Sequence, residues 1–392
     1  MCYSGWKKYR KLDTLRKKNG MIYLDYAANT PVCEEVLQRF INTARDYIAN
    51  PNSAHELGKK AQERFHEASS HVAKIMEVKP SEVIFTSGAS EANNLAIKGI
   101  ARAYRQNGKH IISTGLEHSA VSGALTYLQS LGYEIDLLDI MPDGTIDMNH
   151  LKELLRQDTI LVTIGYVDSE LGVVQPIEEI GKLLKEYPNC HFHTDATQAV
   201  GKIKVNTEYV DLMSFAPHKF FGLNGAGVLI KKEGVILEPL IHGGMSTSLY
   251  RSGTPDLAMA VALEEALSHA TDRQNERYDY VSQLNKKLLT GLKALPQVRI
   301  NSTEKSYPFI VNLSVKGIKA EPMRQALEEK GILVSTKSAC SVPNTPSRAV
   351  YAVTRDRKNA LSSFRISLSH LVTEAEIEAA IKAIKEIIED KE

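Results

Sequence analysis

The stretch that decides the reading is Ser214-Phe215-Ala216-Pro217-His218-Lys219-Phe220-Phe221-Gly222-Leu223-Asn224-Gly225-Ala226-Gly227. A lysine follows a hydrophobic run and a proline, and precedes three glycines in six residues. Set among Phe215, Phe220 and Phe221, its ammonium would be partly desolvated, which lowers a lysine pKa and frees an amine nucleophile. The glycines let the backbone turn sharply and approach a ligand closely. Taken alone, the stretch reads as a surface lysine ahead of a hairpin turn. An element upstream shifts that balance. In His191-Phe192-His193-Thr194-Asp195-Ala196-Thr197-Gln198, a strand over 191–195 places His191, His193 and Asp195 on one face. Such a face could ligate a metal, or its Asp, ending a buried strand, could be aimed at a cofactor.

An acid two dozen residues ahead of Ser-x-x-x-His-Lys is the arrangement of a pyridoxal 5'-phosphate (PLP) enzyme. The acid keeps the pyridine nitrogen protonated, so the ring acts as an electron sink, and the lysine carries the cofactor as a Schiff base. Asp195-Ala196-Thr197-Gln198 with His218-Lys219 resembles the cysteine desulfurases, a branch of the fold-type I PLP enzymes, from about Ile22 to the C-terminus. The resemblance implies PLP on Lys219, Asp195 on the ring nitrogen, Gln198 on the phenolic oxygen and His218 reaching the phosphate.

Composition bounds the alternatives. A chain of 392 residues can hold two domains, and 43% hydrophobic with 24% charged residues is ordinary for a soluble globular protein. A net charge of +1 gives no global field to draw nucleic acid or an anionic membrane. Cys2, Cys33, Cys190 and Cys340 form no CxxC pair, which argues against a disulfide scaffold or zinc ribbon and fits a reducing cytoplasm. No apolar run approaches the ~18 residues a membrane helix needs. Residues 1–20 are a basic segment, with Lys7, Lys8, Arg10, Lys11, Arg16, Lys17 and Lys18 against Asp13. Lacking an apolar h-region, it is not a secretory signal; it reads as a solvated extension or a docking arm for RNA or an acidic partner.

From Ile22 the pattern is regular. Strands are predicted over Ile22–Asp25, Glu82–Thr86, Lys109–Ser113, Ile135–Leu138 and Thr159–Ile164, with helices over Glu34–Ala49, His55–Met76, Glu91–Asn107 and Met148–Gln157. The alternation predicts an α/β fold with a mostly parallel sheet, whose ligands sit at the carboxyl ends of the strands. Ser87-Gly88-Ala89-Ser90-Glu91 opens a helix there: either Ser90 is its cap, or the free N–H groups attract an anion. The resemblance implies the second, with Ala89 (backbone) and Ser90 on the cofactor phosphate, and it implies that His118 stacks on the pyridine and shuttles protons. It also implies a fold-type I architecture, as a basic extension over 1–20, a large PLP-binding domain over 21–260 and a smaller α+β domain over 261–392.

Three residues, at two places, depart from the family pattern. Asp168 and Ser169 stand where the family has two asparagines, the second near the phenolic oxygen and substrate; Asp168 adds a charge and Ser169 keeps a shorter donor. Ala216 stands where the family has a phosphate-binding serine, a lost contact worth about 1 kcal/mol. Further on, Thr254 in Arg251-Ser252-Gly253-Thr254-Pro255 reads as a helix cap; the resemblance implies that it contacts the neighbouring subunit's phosphate, hence a homodimer. A largely helical connection over Pro255–Pro296 leads to strands Val298–Ile300 and Phe309–Ser314 and helices Glu321–Lys330 and Thr373–Asp390.

The smaller domain holds Ser335-Thr336-Lys337-Ser338-Ala339-Cys340-Ser341, a loop of small, turn-forming residues. A cysteine there is accessible, and Lys337 nearby favours its thiolate. Cys340 lies 25 residues before Arg365, which resembles the long-loop group of desulfurases. The resemblance implies that Cys340 takes the substrate sulfur and carries it to acceptors, and that Arg365 grips the substrate carboxylate by a bidentate fork. The expected activity is conversion of L-cysteine to L-alanine, with the persulfide passed to an iron–sulfur scaffold or a tRNA-thiolation enzyme. The alternatives are another PLP enzyme of this fold, such as a selenocysteine lyase or aminotransferase, and a non-catalytic sulfur-transfer scaffold.

Overall fold

A computed structural model describes residues 20–244, 248–337 and 345–391. The basic extension through residue 19 and Cys340 lie outside the described residues. The described residues open on a short strand β1 (Ile22–Tyr23) and helices Glu34–Asp46 and Glu56–Ile75, the second capped by His55. Strands β2 (Val83–Thr86), β3 (His110–Thr114), β4 (Glu134–Leu138), β5 (Thr159–Thr163), β6 (His191–Asp195), β7 (Leu212–Phe215) and β8 (Gly227–Lys231) then build one seven-stranded sheet in the order β2-β8-β7-β6-β5-β3-β4. β8 runs antiparallel to both its neighbours; the other pairings are parallel, as the alternation predicts.

Both faces of this sheet are buried, which the period of two explains. Ile112, Val162, Phe192 and Met213 enter one apolar cluster, while their neighbours Ile111, Leu161 and Leu212 enter another beneath helices Ala89–Ala103 and Ser119–Ser130. Downstream, helices Leu257–Asp272 and Gln274–Lys293 lead to an antiparallel sheet of β9 (Val298–Ile300), β10 (Ile310–Val315) and β12 (Ser363–Ser367), backed by helix Glu374–Glu389. Between them, β11 (Ile332–Leu333) pairs parallel with β1, so the first strand joins the last part of the chain. Helix Leu257–Asp272 runs through the expected boundary at residue 260 and packs on helices Glu34–Asp46 and Glu56–Ile75.

Several local expectations change. The helix after Ser87 starts two residues early and ends at Ala103; its cap position is Gly88, so Ser90 sits inside the first turn and is not the cap. Met148–Leu154 is shorter than expected and is capped by Asp147. Thr254 is not the cap before helix Leu257–Asp272: Asp256 accepts from Met259 N–H. Among the described residues no helix is long and apolar enough to cross a membrane.

The turn after β2 depends on a close backbone approach. Gly88 has φ +157°, and a Cβ on Gly227, which faces Thr86 across the β2–β8 pairing, would stand 2.4 Å from the Gly88 carbonyl carbon. Gly227→Ala must push that turn aside. We expect a loss of roughly 1–3 kcal/mol in urea unfolding, as overpacking costs; an unchanged unfolding midpoint would show that the turn yields freely.

Candidate active site

The turns following β2, β3, β5, β6 and β7 converge on one edge of the sheet and enclose a cavity of about 440 Å³. Lys219 ends a 3-10 turn, Pro217–Lys219, that follows β7, and its Nζ donates to the carbonyl oxygens of Ala27 (2.9 Å) and Ala28 (2.7 Å). The turn is pinned from the N-terminal segment: Thr30 Oγ1 donates to the His218 carbonyl and accepts from Phe221 N–H. Phe221 takes φ +70°, a left-handed conformation that costs an aromatic residue energy and persists where surroundings enforce it.

Asp195 ends β6 with both oxygens engaged. Oδ2 accepts from Asn93 Nδ2 at 2.7 Å and Oδ1 from Thr197 N–H at 3.0 Å. Its strand mate His193 is fully buried, with Nδ1 at Thr163 Oγ1 (2.8 Å) and Nε2 at Ser214 Oγ (3.0 Å), and burial pushes it down to about 4. It is a strut across β5, β6 and β7. Gln198 donates from Nε2 to Ala27 O (2.8 Å) and accepts at Oε1 from Lys202 (2.7 Å). Burial, then Lys219 and Lys202, push His218 down to about 4, so its ring is neutral at neutral pH. His118 caps helix Ser119–Ser130 by accepting from Ala120 N–H at Nδ1 (3.1 Å), which leaves the neutral ring's proton on Nε2. Ala89 and Ser90 line the cavity at a helix start, where N–H groups are free of helical partners.

Arg365 is buried at 2% exposure on β12, an edge strand of the smaller sheet. It donates to Asp25 Oδ1 (2.9 Å) and to the Ser169 carbonyl (2.6 Å), while Asp25 Oδ2 accepts from Ser335 Oγ. Its Nε is buried without a partner among the described residues. Thr254 lies outside this cavity, exposed, with Asn50 donating to its Oγ1. Ala216 is fully buried and does not line the cavity; Asn224, Gly225 and Ala226 do.

The structure adds groups that sequence reasoning did not find. Glu117 accepts from Thr114 Oγ1 and Gly165 N–H, both at 2.9 Å, through Oε1; its Oε2 is buried without a partner among the described residues. Burial, more than nearby Asp195 and Asp168, pushes its carboxyl up to about 8. Asp168 accepts from Glu170 and Leu171 N–H and is pushed up to about 7 by burial and Glu170, so the full charge expected there is partly quenched. Asn93 and Asp25 gave no signal because their partners are remote in sequence.

A sequence profile described as Aminotransferase class-V matches residues 22–380. The chain belongs to this family. A cysteine desulfurase IscS from Dictyoglomus turgidum is 36% identical over 373 residues, 94% of each chain. A solved NifS-like protein superposes with a TM-score of 0.88 at 33% identity, covering 94% of this chain and 99% of its own. A second structure, titled SspA in complex with cysteine, superposes at 0.78 with 32% identity, covering 88% and 98%. Within the class-V family, then, the chain groups with the cysteine desulfurases, and its mostly parallel sheet is the fold of that group.

Glu117 carries a stability signature. Its folded value of about 8 lies above the usual 4.5. Below the unfolded value both states hold the proton; as pH rises toward the folded value only the native state does, and stability is lost. Glu117→Gln removes that loss. The stability difference between E117Q and wild type, followed by urea unfolding, should grow in favour of E117Q between about pH 5 and about pH 8 and then level off. A pH-independent difference would mean that Glu117 is ionised in the fold.

Proposed function

We propose that this chain is a PLP-dependent cysteine desulfurase that converts L-cysteine to L-alanine and takes the sulfur onto Cys340. The observation that carries the reading is the convergence of the Lys219 amine, the doubly anchored Asp195 carboxylate and Arg365 on one cavity. The groups present fit the cofactor. A helix start opened by the Gly88–Gly227 contact suits a phosphate, Lys219 and His218 line the same cavity, and Gln198 offers a donor. Buried polar atoms without partners among the described residues, Thr197 Oγ1 and Asp168 Oδ2, belong to residues on the same cavity wall.

When bound, PLP supplies the electron sink that stabilises the pair of electrons left at the substrate's alpha carbon. The protein does the rest. Arg365, set by Asp25 and the Ser169 carbonyl, binds the substrate carboxylate. Asp195 holds a protonated ring nitrogen. Lys219 through Nζ and His118 through Nε2 move protons. Cys340 Sγ, as thiolate, forms a bond to the substrate sulfur; the bond from that sulfur to Cβ breaks, its electron pair stays on carbon, and a proton completes alanine. Thr254, which does not line its own cavity, serves the neighbouring subunit of a homodimer. The persulfide then passes to a protein acceptor, an iron–sulfur scaffold or a tRNA-thiolation enzyme.

Borohydride reduction of the PLP-loaded protein followed by peptide mapping should fix the cofactor on the peptide containing Lys219; a label on any other lysine overturns the assignment. Cys340→Ala should keep bound PLP and lose nearly all alanine release. Mass spectrometry after brief exposure to cysteine should find the extra sulfur on Cys340. Cys33 and Cys190 are poor alternatives: both are buried, and burial pushes the Cys33 thiol up to about 11 and the Cys190 thiol higher. Extra sulfur on either, or wild-type turnover by C340A, contradicts the proposal.

A further inference from the structure

A second lysine is buried against Gln198, a residue of the cavity wall. Lys202 lies four residues after Gln198, in a run of turns where Gly201 takes φ +76° and a Cβ would strike Phe220 Cβ at 2.8 Å. That contact fixes the turn carrying Lys202 against the turn carrying Lys219. Lys202 is 8% exposed, and its charge is disfavoured by burial and by nearby Lys219 and Arg365. A buried lysine is costly unless its nitrogen is used. Its Nζ stands 2.7 Å from Gln198 Oε1.

The chemistry of the partners settles the amide orientation. Ala27 O is an acceptor only, so the Gln198 group 2.8 Å from it is the NH2, and Oε1 must face Lys202. In either protonation state Lys202 donates. Ala27 O also accepts from Lys219, so a continuous chain runs Lys202, Gln198, Ala27 carbonyl, Lys219. One Gln198 N–H is used on Ala27, and the other is the donor left for the cavity, which Gln198 lines.

We propose that Lys202 is a positioning residue: by holding Gln198 Oε1 it fixes the amide so that its free N–H is presented to the ring oxygen of the bound cofactor. This rests on the PLP reading above. Without Lys202, Oε1 is a buried acceptor with no donor, and the amide leaves its place to find one. The ring oxygen then loses a hydrogen bond that stabilises its anionic form. The proton shared near that oxygen is held more tightly.

The test uses PLP-loaded wild type, K202M, Q198M and the double variant, read by the pH midpoint at which the cofactor's visible absorption changes and by PLP loss on dialysis. K202M should raise the midpoint by about half a unit or more, roughly a threefold change in the equilibrium, and should lose PLP faster. Q198M should do the same, and the double variant should add nothing further. A loaded K202M with the wild-type midpoint overturns the proposal, leaving Lys202 a packing residue. So does a K202M shift that adds in full to that of Q198M. If K202M does not accumulate, K202Q serves in its place: its amide still donates, so its midpoint should match wild type, and a midpoint raised to the Q198M value overturns the proposal. Wild type that binds no PLP at all would sink the cofactor reading instead, a distinct outcome.

Discussion

Two backbone carbonyls, those of Ala27 and Ala28, hold the Lys219 amine, and the segment that carries them ties the molecule together. Leu24 exchanges backbone bonds with Leu333 and Ser367, and the Ser367 hydroxyl accepts from Ala27 N–H. Thr30 and Cys33 bond to His218 and Phe221 on either side of Lys219. Fewer than a dozen residues thus connect the smaller sheet, the large sheet and the candidate catalytic amine. A shift of this segment would move all three together, which is why a strained Phe221 is held beside Lys219.

Lys219, Lys202, His218 and Arg365 interact closely enough that amine and imidazole charges oppose one another. Glu117 and Asp168 line the same cavity, and burial pushes both carboxyls up, to about 8 and about 7. Asp195 differs from them in having a donor on each oxygen, one of them the fully buried Asn93, whereas Glu117 and Asp168 each take both donors on a single oxygen.

The sequence by itself determined the sheet and where its chemistry lies. Periods of two in strands such as His191–Asp195 and Thr159–Thr163, alternating with helical runs, specify a parallel sheet, and parallel strands put their following turns on one edge. His118, Asp195, His218 and Lys219 follow strand ends in sequence, so their convergence was legible. What followed from contacts between distant segments was not. Asp25 and Arg365 are 340 residues apart, and Asn93 and Asp195 are 102 apart, yet each pair forms one hydrogen-bonded unit. Helix caps moved from Ser90 to Gly88 and from Thr254 to Asp256 because cap choice depends on the angle of chain entry, which packing sets. Glu117 beside His118, and Lys202 four residues after Gln198, carry no sequence signal that sets them apart from other charged residues. Only the tertiary structure buried them, and burial, through the cost of desolvating a charge, turned them into parts of the site.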